Sequence, residues 1–155
     1  VFSAWGIYKG PRMGPNGMAG SYGLNGYVLN IKPGINFEGG VPTENAWRTP
    51  NVTGGRNIPL FADSLRYSAW PLETNPPAQY WDSAWSGNSM ARLCINRHEG
   101  AINMIFLDWS ARKVPLKQLW TLKWHRSFNT EGPWTTAGGV QPTDWPEWMR
   151  DFKDY

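Results

Sequence analysis

A chain of 155 residues with 11 Trp, 17 Gly and 13 Pro is long enough for one domain with its own core, and an aromatic content of 15% excludes a disordered polypeptide. The net charge is +3, and the basic residues are scattered, whereas nucleic-acid-binding domains concentrate them in a patch. We therefore expect a single domain over residues 1–155, rich in loops and poor in long helices, that does not bind nucleic acid.

Five short segments have the apolar patterning and the turn-forming borders of β-strands. They are Tyr22–Leu29, Ile58–Asp63, Met90–Asn96, Ile102–Leu107 and Ala111–Val114. The fourth segment carries the strongest signal, because it is largely apolar and lies between a glycine and an aspartate. The three residues after it suit a tight turn, so the fifth segment is predicted to return as its hairpin partner.

Two short helices are predicted near the C-terminus. Apolar residues recur at helical spacing across Leu116–Trp124, and Pro115 suits the start of a helix. Thr143 is predicted to cap a second helix over Asp144–Phe152, whose first turn carries acidic residues. Together these elements predict an α+β domain with an antiparallel sheet, long loops rich in Trp, Gly and Pro, and short C-terminal helices.

His98, Asp108 and His125 are the candidates for chemistry, since two histidines and a carboxylate suit zinc or iron. Their positions at a strand end, a turn and a helix end do not indicate that they converge. In the structural alternative, His98 donates to a loop carbonyl beside the hairpin. Asp108 is then a buried acceptor for the backbone N–H groups of Ser110 or Ala111. We favour this alternative, and expect no catalytic residue, metal or cofactor.

The sequence offers no specific support for an enzyme. No nucleophile elbow, phosphate-binding loop or zinc-ligand spacing occurs in it. The acid pairs Glu99 with Asp108 and Asp144 with Glu147 have no recognisable flank for glycosidase chemistry. A hydrolase would need both histidines and an acid to meet in one pocket.

The aromatic residues lie mostly in loops. Trp and Tyr are enriched where subunits meet, planar rings also stack on sugars, and rings can simply form small clusters beneath long loops. We favour contacts between subunits for Trp47, Trp70, Tyr80, Trp81, Trp85, Trp134, Trp145 and Trp148. The alternative is a carbohydrate-binding module that uses loop residues such as Trp81 and Trp85.

The triplet Asn51-Val52-Thr53 matches the acceptor for N-glycosylation. It lies in a Gly-rich loop, which suits an exposed site. Such triplets are common by chance, so Asn51 is a weak candidate.

The stretch Ile95–Arg126 contains His98, then nine residues, then Asp108. The chain also contains the strings S-Y-G-L-N-G, N-I-P-L-F-A-D and W-P-E-W-M-R-D-F-K-D-Y. In these features it resembles the bacterial prepilin-like proteins of the H-X9-DG type, which are relatives of type IV pilins and type II secretion pseudopilins. The likeness covers most of the chain, and Trp109 stands where the motif has Gly.

This resemblance implies a pilin-like globular domain and a non-enzymatic structural subunit of an extracellular filament, a pilus or a type II secretion pseudopilus. It also implies assembly with copies of the same chain and a location outside the cell, at its surface or in the periplasm. Membrane contact is implied only through a hydrophobic N-terminal helix. That helix is absent from this sequence, which starts at Val1 without Met, so we expect that a preceding segment is missing.

Overall fold

The computed structural model describes residues 16–17, 19–37, 41–80 and 88–155. Within these ranges the strands are β1 (Tyr22–Asn25), β2 (Pro59–Asp63), β3 (Ser68–Ala69), β4 (Ala101–Phe106) and β5 (Ala111–Pro115). They form one sheet in the order β3-β1-β2-β4-β5. A short α-helix, α1, spans Ser89–Leu93. The 3-10 segments are Gly26–Val28, Thr43–Asn45, Gly55–Asn57, Leu116–Thr121, Pro142–Asp144 and Glu147–Met149. The predicted α+β class with little helix is confirmed.

The sheet is mixed, whereas an antiparallel sheet was predicted. β1 pairs antiparallel with β2, β2 with β4, and β4 with β5. The edge strand β3 instead lies parallel to β1, with Ser68 opposite Leu24. Where the chain leaves β2, the backbone N–H of Ser64 donates to Ser21 O at 2.9 Å. The chain then passes to the far side of β1, and this reversal makes β3 parallel to it.

The hairpin of β4 and β5 follows the prediction closely. Its register places Ile102 opposite Val114 and Ile105 opposite Ala111. Because side chains alternate between the two faces of a strand, Ile102, Met104 and Phe106 point to one side. These three side chains are buried in the main core, together with Trp120, Trp124 and Trp145. We call this side of the sheet the inner face.

The predicted strand Met90–Asn96 is wrong, because its first half is the helix α1. Asn88 caps this helix, its side-chain Oδ1 accepting from the backbone N–H of Ala91 at 2.9 Å. Met90, Ala91 and Leu93 are buried against the core. A short apolar run fits a buried strand or a buried helical turn equally well, and the capping asparagine is the local signal that separates the two.

Both C-terminal helices are shorter and tighter than predicted. Leu116–Thr121 is a 3-10 segment that stops before Trp124. In place of one helix over Asp144–Phe152 there are two 3-10 turns, separated at Pro146, which lacks the N–H that a helix interior needs. The predicted cap at Thr143 is also wrong, since the backbone N–H of Gln141 donates to Asp144 Oδ2 at 2.7 Å and Gln141 is the N-cap.

Strand β1 ends four residues earlier than predicted, at Asn25. The side chain of Asn25 accepts from the backbone N–H of Tyr27 at 3.2 Å, which starts a 3-10 turn. Its amide group donates to Pro59 O at 2.8 Å and to Trp124 O at 2.9 Å. One buried asparagine therefore ends the strand and joins it to two distant segments.

Gly26 lies against the indole of Trp70, and a Cβ atom at this position would overlap the ring. We expect Gly26→Ala to lower the free energy of unfolding by about 1–3 kcal/mol, as overpacking of a core does. Urea denaturation of the variant would measure the loss. In a Trp70→Leu background the same substitution should cost less, because the overlapping ring is gone. An equal cost in both backgrounds would contradict this explanation.

Candidate functional site

His98 contacts the buried carboxylate of Asp63 instead of the predicted loop carbonyl. His98 Nε2 lies 3.0 Å from Asp63 Oδ2, and the backbone N–H of Asn103 donates to the same oxygen at 2.8 Å. Arg97 Nη1 donates to Asp63 Oδ1 at 2.9 Å and to Ser21 O at 3.0 Å. The Asp63 cluster, comprising Asp63, Arg97, His98 and Asn103, thus ties the loop before β4 to the end of β2.

Asp63 was not singled out from the sequence. It is only 1% exposed, and it reaches His98 because β2 and β4 are neighbours in the sheet. The available signal was a carboxylate at the end of an apolar strand. If such a carboxylate is buried, it needs hydrogen-bond donors to replace its lost contacts with water. Both oxygens of Asp63 are occupied by a guanidinium, an imidazole and a backbone N–H. Such contacts are typical of a carboxylate that stabilises the fold.

Asp108 holds the turn between β4 and β5 and has no contact with His98. Its Oδ1 accepts from the backbone N–H of Ser110 at 3.0 Å and from the Ser110 hydroxyl at 2.6 Å. The hydrogen bond from the Ser110 hydroxyl lowers the pKa of the Asp108 carboxyl most, and the bond from the Ser110 backbone N–H lowers it further. The predicted hydrogen bond to Ser110 is confirmed. The predicted burial is wrong, because the turn extends beyond the sheet and Asp108 is exposed.

Trp109 follows Asp108 in this turn, at the position for which the resemblance implies Gly. Its φ of 66° lies in the left-handed region, which glycine adopts without the steric cost that a side chain carries. The indole is 78% exposed, so it makes little of the packing that would offset this cost. The turn therefore keeps a conformation suited to glycine while carrying the most exposed large apolar side chain described.

His125 is buried among aromatic rings. Its ring centroid lies 4.7 Å from that of Tyr27 and 5.2 Å from that of Phe128, and its side chain is 2% exposed. His125 Nε2 lies 3.5 Å from Glu73 Oε2, at the outer limit of a hydrogen bond. Burial lowers the pKa of His125 from 6.5 to about 4, with Glu73 opposing the shift and Lys123 adding to it. His125 is therefore a neutral ring at pH 7.

The two histidines contact different carboxylates, so they do not meet with an acid in one pocket as the hydrolase alternative requires. His98 lies at Asp63 and His125 at Glu73. Over residues 16–17, 19–37, 41–80 and 88–155, no group of three or more His, Cys, Asp or Glu side chains is arranged to hold a metal ion.

Several of the loop aromatics predicted at subunit contacts are part of the core. Trp70 and Trp145 are buried, which is wrong for a contact surface, and Trp47, Trp134 and Trp148 are half-buried. Trp47 Nε1 donates to Trp124 O at 3.1 Å, and Trp148 Nε1 donates to Ala78 O at 3.0 Å, so these rings hold loops onto the domain. Tyr80 is 66% exposed. Trp81 and Trp85 lie outside the described residues.

Asn51 is exposed, in the irregular segment between Thr43–Asn45 and Gly55–Asn57. Its backbone N–H donates to Thr49 Oγ1 at 3.2 Å. An exposed loop suits a glycosylation acceptor, and modification of Asn51 remains a prediction.

The side of the sheet opposite the core carries an exposed apolar surface that the sequence interpretation missed. We call it the outer face, and it comprises Tyr22, Leu24, Phe61, Ile105 and Ala111. The register places Leu24 opposite Phe61, Phe61 opposite Ile105, and Ile105 opposite Ala111, so one apolar row crosses four strands. Tyr22, Phe61 and Ile105 are 55%, 39% and 38% exposed. The available signal was the apolar residues at strand positions that alternation turns away from the core, although Asn103 and Lys113 lie on the same face.

These features define a small α+β domain built on a five-stranded mixed sheet. No protein-family model matches the chain, and no curated protein or solved structure matches it significantly. None of the helices in the described part of the chain has the length and apolar character needed to cross a membrane.

Proposed function

We propose that this chain is a non-enzymatic structural subunit of an extracellular filament, a pilus or a type II secretion pseudopilus. In this proposal copies of the chain assemble through the outer face of the sheet. The observation that supports it most directly is the exposed apolar row from Leu24 to Ala111. The resemblance to the H-X9-DG prepilin-like proteins points to the same function.

The outer face has the character of a contact surface. Soluble monomers scatter their exposed apolar residues, whereas contiguous apolar patches mark interaction sites. A shallow cavity of about 380 Å³ runs along this face beside Tyr22, Ile105 and Ala111. An aromatic or aliphatic side chain from a neighbouring molecule would be removed from water there, which is how the central residues of interfaces contribute affinity.

The distribution of charge favours a second copy of this chain as the occupant. Basic residues lie along the edge of the sheet at Arg56, Arg112 and Lys113. Acidic residues are exposed on the C-terminal segment at Asp144, Glu147 and Asp151. That segment belongs to the inner side, because its Trp145 and Met149 are buried in the main core.

The acidic side chains of the C-terminal segment and the basic side chains beside the edge strand β5 are of opposite charge and can pair between successive molecules. When two different surfaces of the same chain form the contact, each added molecule still exposes one of them, so a further molecule can bind. Such a contact builds an open helical assembly unless the rotation closes a ring. A head-to-tail contact of this kind suits a filament. As part of the same proposal, the protein acts outside the cell, at the cell surface or in the periplasm, and contacts the membrane only through a hydrophobic N-terminal helix.

Phe61→Glu should prevent this assembly. It places a carboxylate at the centre of the apolar row, where burial against a second copy would remove it from water. We expect the protein concentration needed for assembly to rise by roughly tenfold or more. Sedimentation velocity and negative-stain microscopy would measure it.

Ile35→Glu is the matched control and should leave assembly unchanged, because Ile35 is exposed but does not belong to the outer face. Assembly should also weaken as the ionic strength rises, since part of the contact is ionic. A wild-type protein that stays monomeric at high concentration, or a Phe61→Glu protein that assembles like the parent, would refute the proposal.

A further inference from the structure

Trp109 combines high exposure with an unfavourable backbone conformation. It lies at the tip of the turn between β4 and β5, where it is 78% exposed, more than any other large apolar residue described. Its φ of 66° is costly for a residue with a side chain, and glycine would adopt it freely. An indole that gains little from its own domain, at a position that disfavours it, indicates a contact with another molecule.

The turn that carries this indole is firmly held. The backbone N–H of Trp109 donates to Phe106 O at 2.9 Å, and the backbone N–H of Phe106 donates to Ser110 O at 2.8 Å. The turn also packs against Gly55, where a Cβ atom would lie 3.3 Å from the backbone nitrogen of Asp108. A turn that is ordered in advance loses little conformational entropy on binding, which favours its use as an anchor.

The surroundings of the indole are mainly basic. Arg112 Nη1 donates to Arg56 O at 2.8 Å, which brings the two arginines together beside the hairpin, and Lys113 follows on β5. The carboxylate of the turn, Asp108, is bonded to Ser110. Three positive charges thus lie near one negative charge. An apolar ring in such surroundings suits a partner surface that is apolar at its centre and acidic at its margin.

The C-terminal segment has a surface of this kind. A cavity of about 370 Å³ opens beside Trp148 and Glu147. The half-buried ring of Trp148 is fixed, because its Nε1 donates to Ala78 O at 3.0 Å and Phe152 meets it edge to face with centroids 6.0 Å apart. Glu147 and Asp151 are exposed on either side of Trp148 along the chain. We call these three residues, with the cavity, the Trp148 surface.

We propose that Trp109 anchors the contact between successive molecules by packing its indole against the Trp148 surface of a second copy. This inference rests on the proposed assembly function and names the residues through which it acts. Trp109 lies just beyond Ile105 and Ala111, the last pair of the outer face before the turn, so one contact covers both. Two aromatic rings packed together, with opposite charges around them, have the composition of the residues that dominate interface affinity.

Trp109→Gly separates a role in assembly from a role in stability. The variant suits the left-handed φ, so its urea midpoint should be at or above that of the parent when both are monomeric. The protein concentration needed for assembly, measured by sedimentation velocity, should nevertheless rise by about tenfold or more. Trp109→Asn also tolerates this conformation and should behave in the same way. Trp109→Phe keeps a planar ring and should lose less.

Glu147→Lys tests the receiving surface, because it places a positive charge opposite the basic turn and should also weaken assembly by about tenfold or more. Glu44→Lys is the matched control, since Glu44 is likewise exposed in the first turn of a 3-10 segment. It should leave assembly within about twofold of the parent. An equal loss for both variants would reveal a dependence on net charge alone and would overturn the proposal.

A mixture of Trp109→Gly and Glu147→Lys tests the head-to-tail arrangement. The first variant keeps an intact Trp148 surface, and the second keeps an intact anchor. The two should therefore form a heterodimer that cannot grow further, whereas each alone stays monomeric at the same concentration. Sedimentation velocity of the mixture and of each variant alone would measure this, and a mixture without heterodimers would refute the arrangement.

The outcomes distinguish this inference from the proposed function. If Phe61→Glu prevents assembly and Trp109→Gly does not, the anchor is refuted and the assembly function stands, whereas a parent that stays monomeric at high concentration refutes both. A lower urea midpoint for Trp109→Gly would show that the indole stabilises its own domain, and would overturn the inference. Binding of the parent to phosphatidylcholine–phosphatidylserine vesicles that Trp109→Gly abolishes would assign the indole to a lipid surface and overturn it as well.

Discussion

Asp63→Ala should lower the free energy of unfolding by about 3–5 kcal/mol, the cost of removing one partner from a buried ion pair. The Asp63 carboxylate accepts from Arg97 Nη1 at 2.9 Å and from the backbone N–H of Asn103 at 2.8 Å, and His98 Nε2 lies at 3.0 Å. The side chains of Asp63 and Arg97 are 2% and 11% exposed. Without the carboxylate, the buried guanidinium of Arg97 keeps no ion pair with an acidic side chain of the described residues. Urea denaturation at pH 7 would measure the loss.

Asp108→Ala is the matched control, because it removes the same carboxylate from an exposed turn on the same hairpin. Its loss should be clearly smaller, since water can replace the bonds to Ser110. Asp63→Asn should fall between the two, as it keeps an acceptor for the backbone N–H of Asn103 and loses the charge that faces Arg97. Equal losses for Asp63→Ala and Asp108→Ala would contradict a special role for the buried cluster.

The elements predicted correctly from the sequence are those whose cause is local. Strand β4 is an apolar run between Gly100 and Asp108, and the turn that follows contains its own acceptor for Ser110. Strand β5 then pairs with β4, because the short turn brings the residues that follow it directly beside β4. Both steps need information from only about fifteen consecutive residues, which is why pattern and turn chemistry suffice.

The errors share a different cause, which is competition from distant contacts or from a single overriding residue. Residues 90–93 form a helix because Asn88 caps them, although their apolar content alone fits a strand. Pro146 divides the last predicted helix, despite helical spacing around it. The burial of Trp70 and Trp145 depends on partners far along the chain, so no local pattern separates them from exposed loop aromatics.

The candidate sites were hidden for the same reason. Asp63 and His98 are 35 residues apart and meet only because β2 pairs with β4. The outer face exists only once the register of four strands is known, since Tyr22, Phe61 and Ile105 come from separate segments. The proposed assembly surface therefore depends on the sheet topology, which no local pattern reveals.

Lowering the pH from 7 to 4 should destabilise the protein through His125, by about 3 kcal/mol at most. The pKa of His125 is lowered from 6.5 to about 4 in the folded protein, mainly by burial. Between these two values the unfolded chain binds a proton that the folded chain does not. The free energy of unfolding therefore falls as the pH drops through this window, and the effect is complete below about pH 4.

The groups that face His125 set the size of this effect. Tyr27 and Phe128 enclose the ring and exclude water, which disfavours the charged form. Lys123 also opposes protonation, whereas Glu73, 3.5 Å from Nε2, favours it. Glu73→Gln should therefore lower the pKa of His125 further and make the protein more sensitive to acid, provided that the fold is retained.

His125→Gln isolates the contribution of the histidine, because a glutamine stays neutral over the whole range. Carboxylates elsewhere also titrate on the way to pH 4, so the informative quantity is the difference between the two stability curves. Urea denaturation at intervals from pH 7 to pH 4 should show the variant losing less stability than the parent across this window. The chain has only two histidines, so loss of one ring resonance in the variant assigns His125 by NMR. That resonance should titrate near pH 4, and parallel stability curves or a midpoint near 6.5 would show that His125 is not held neutral by burial.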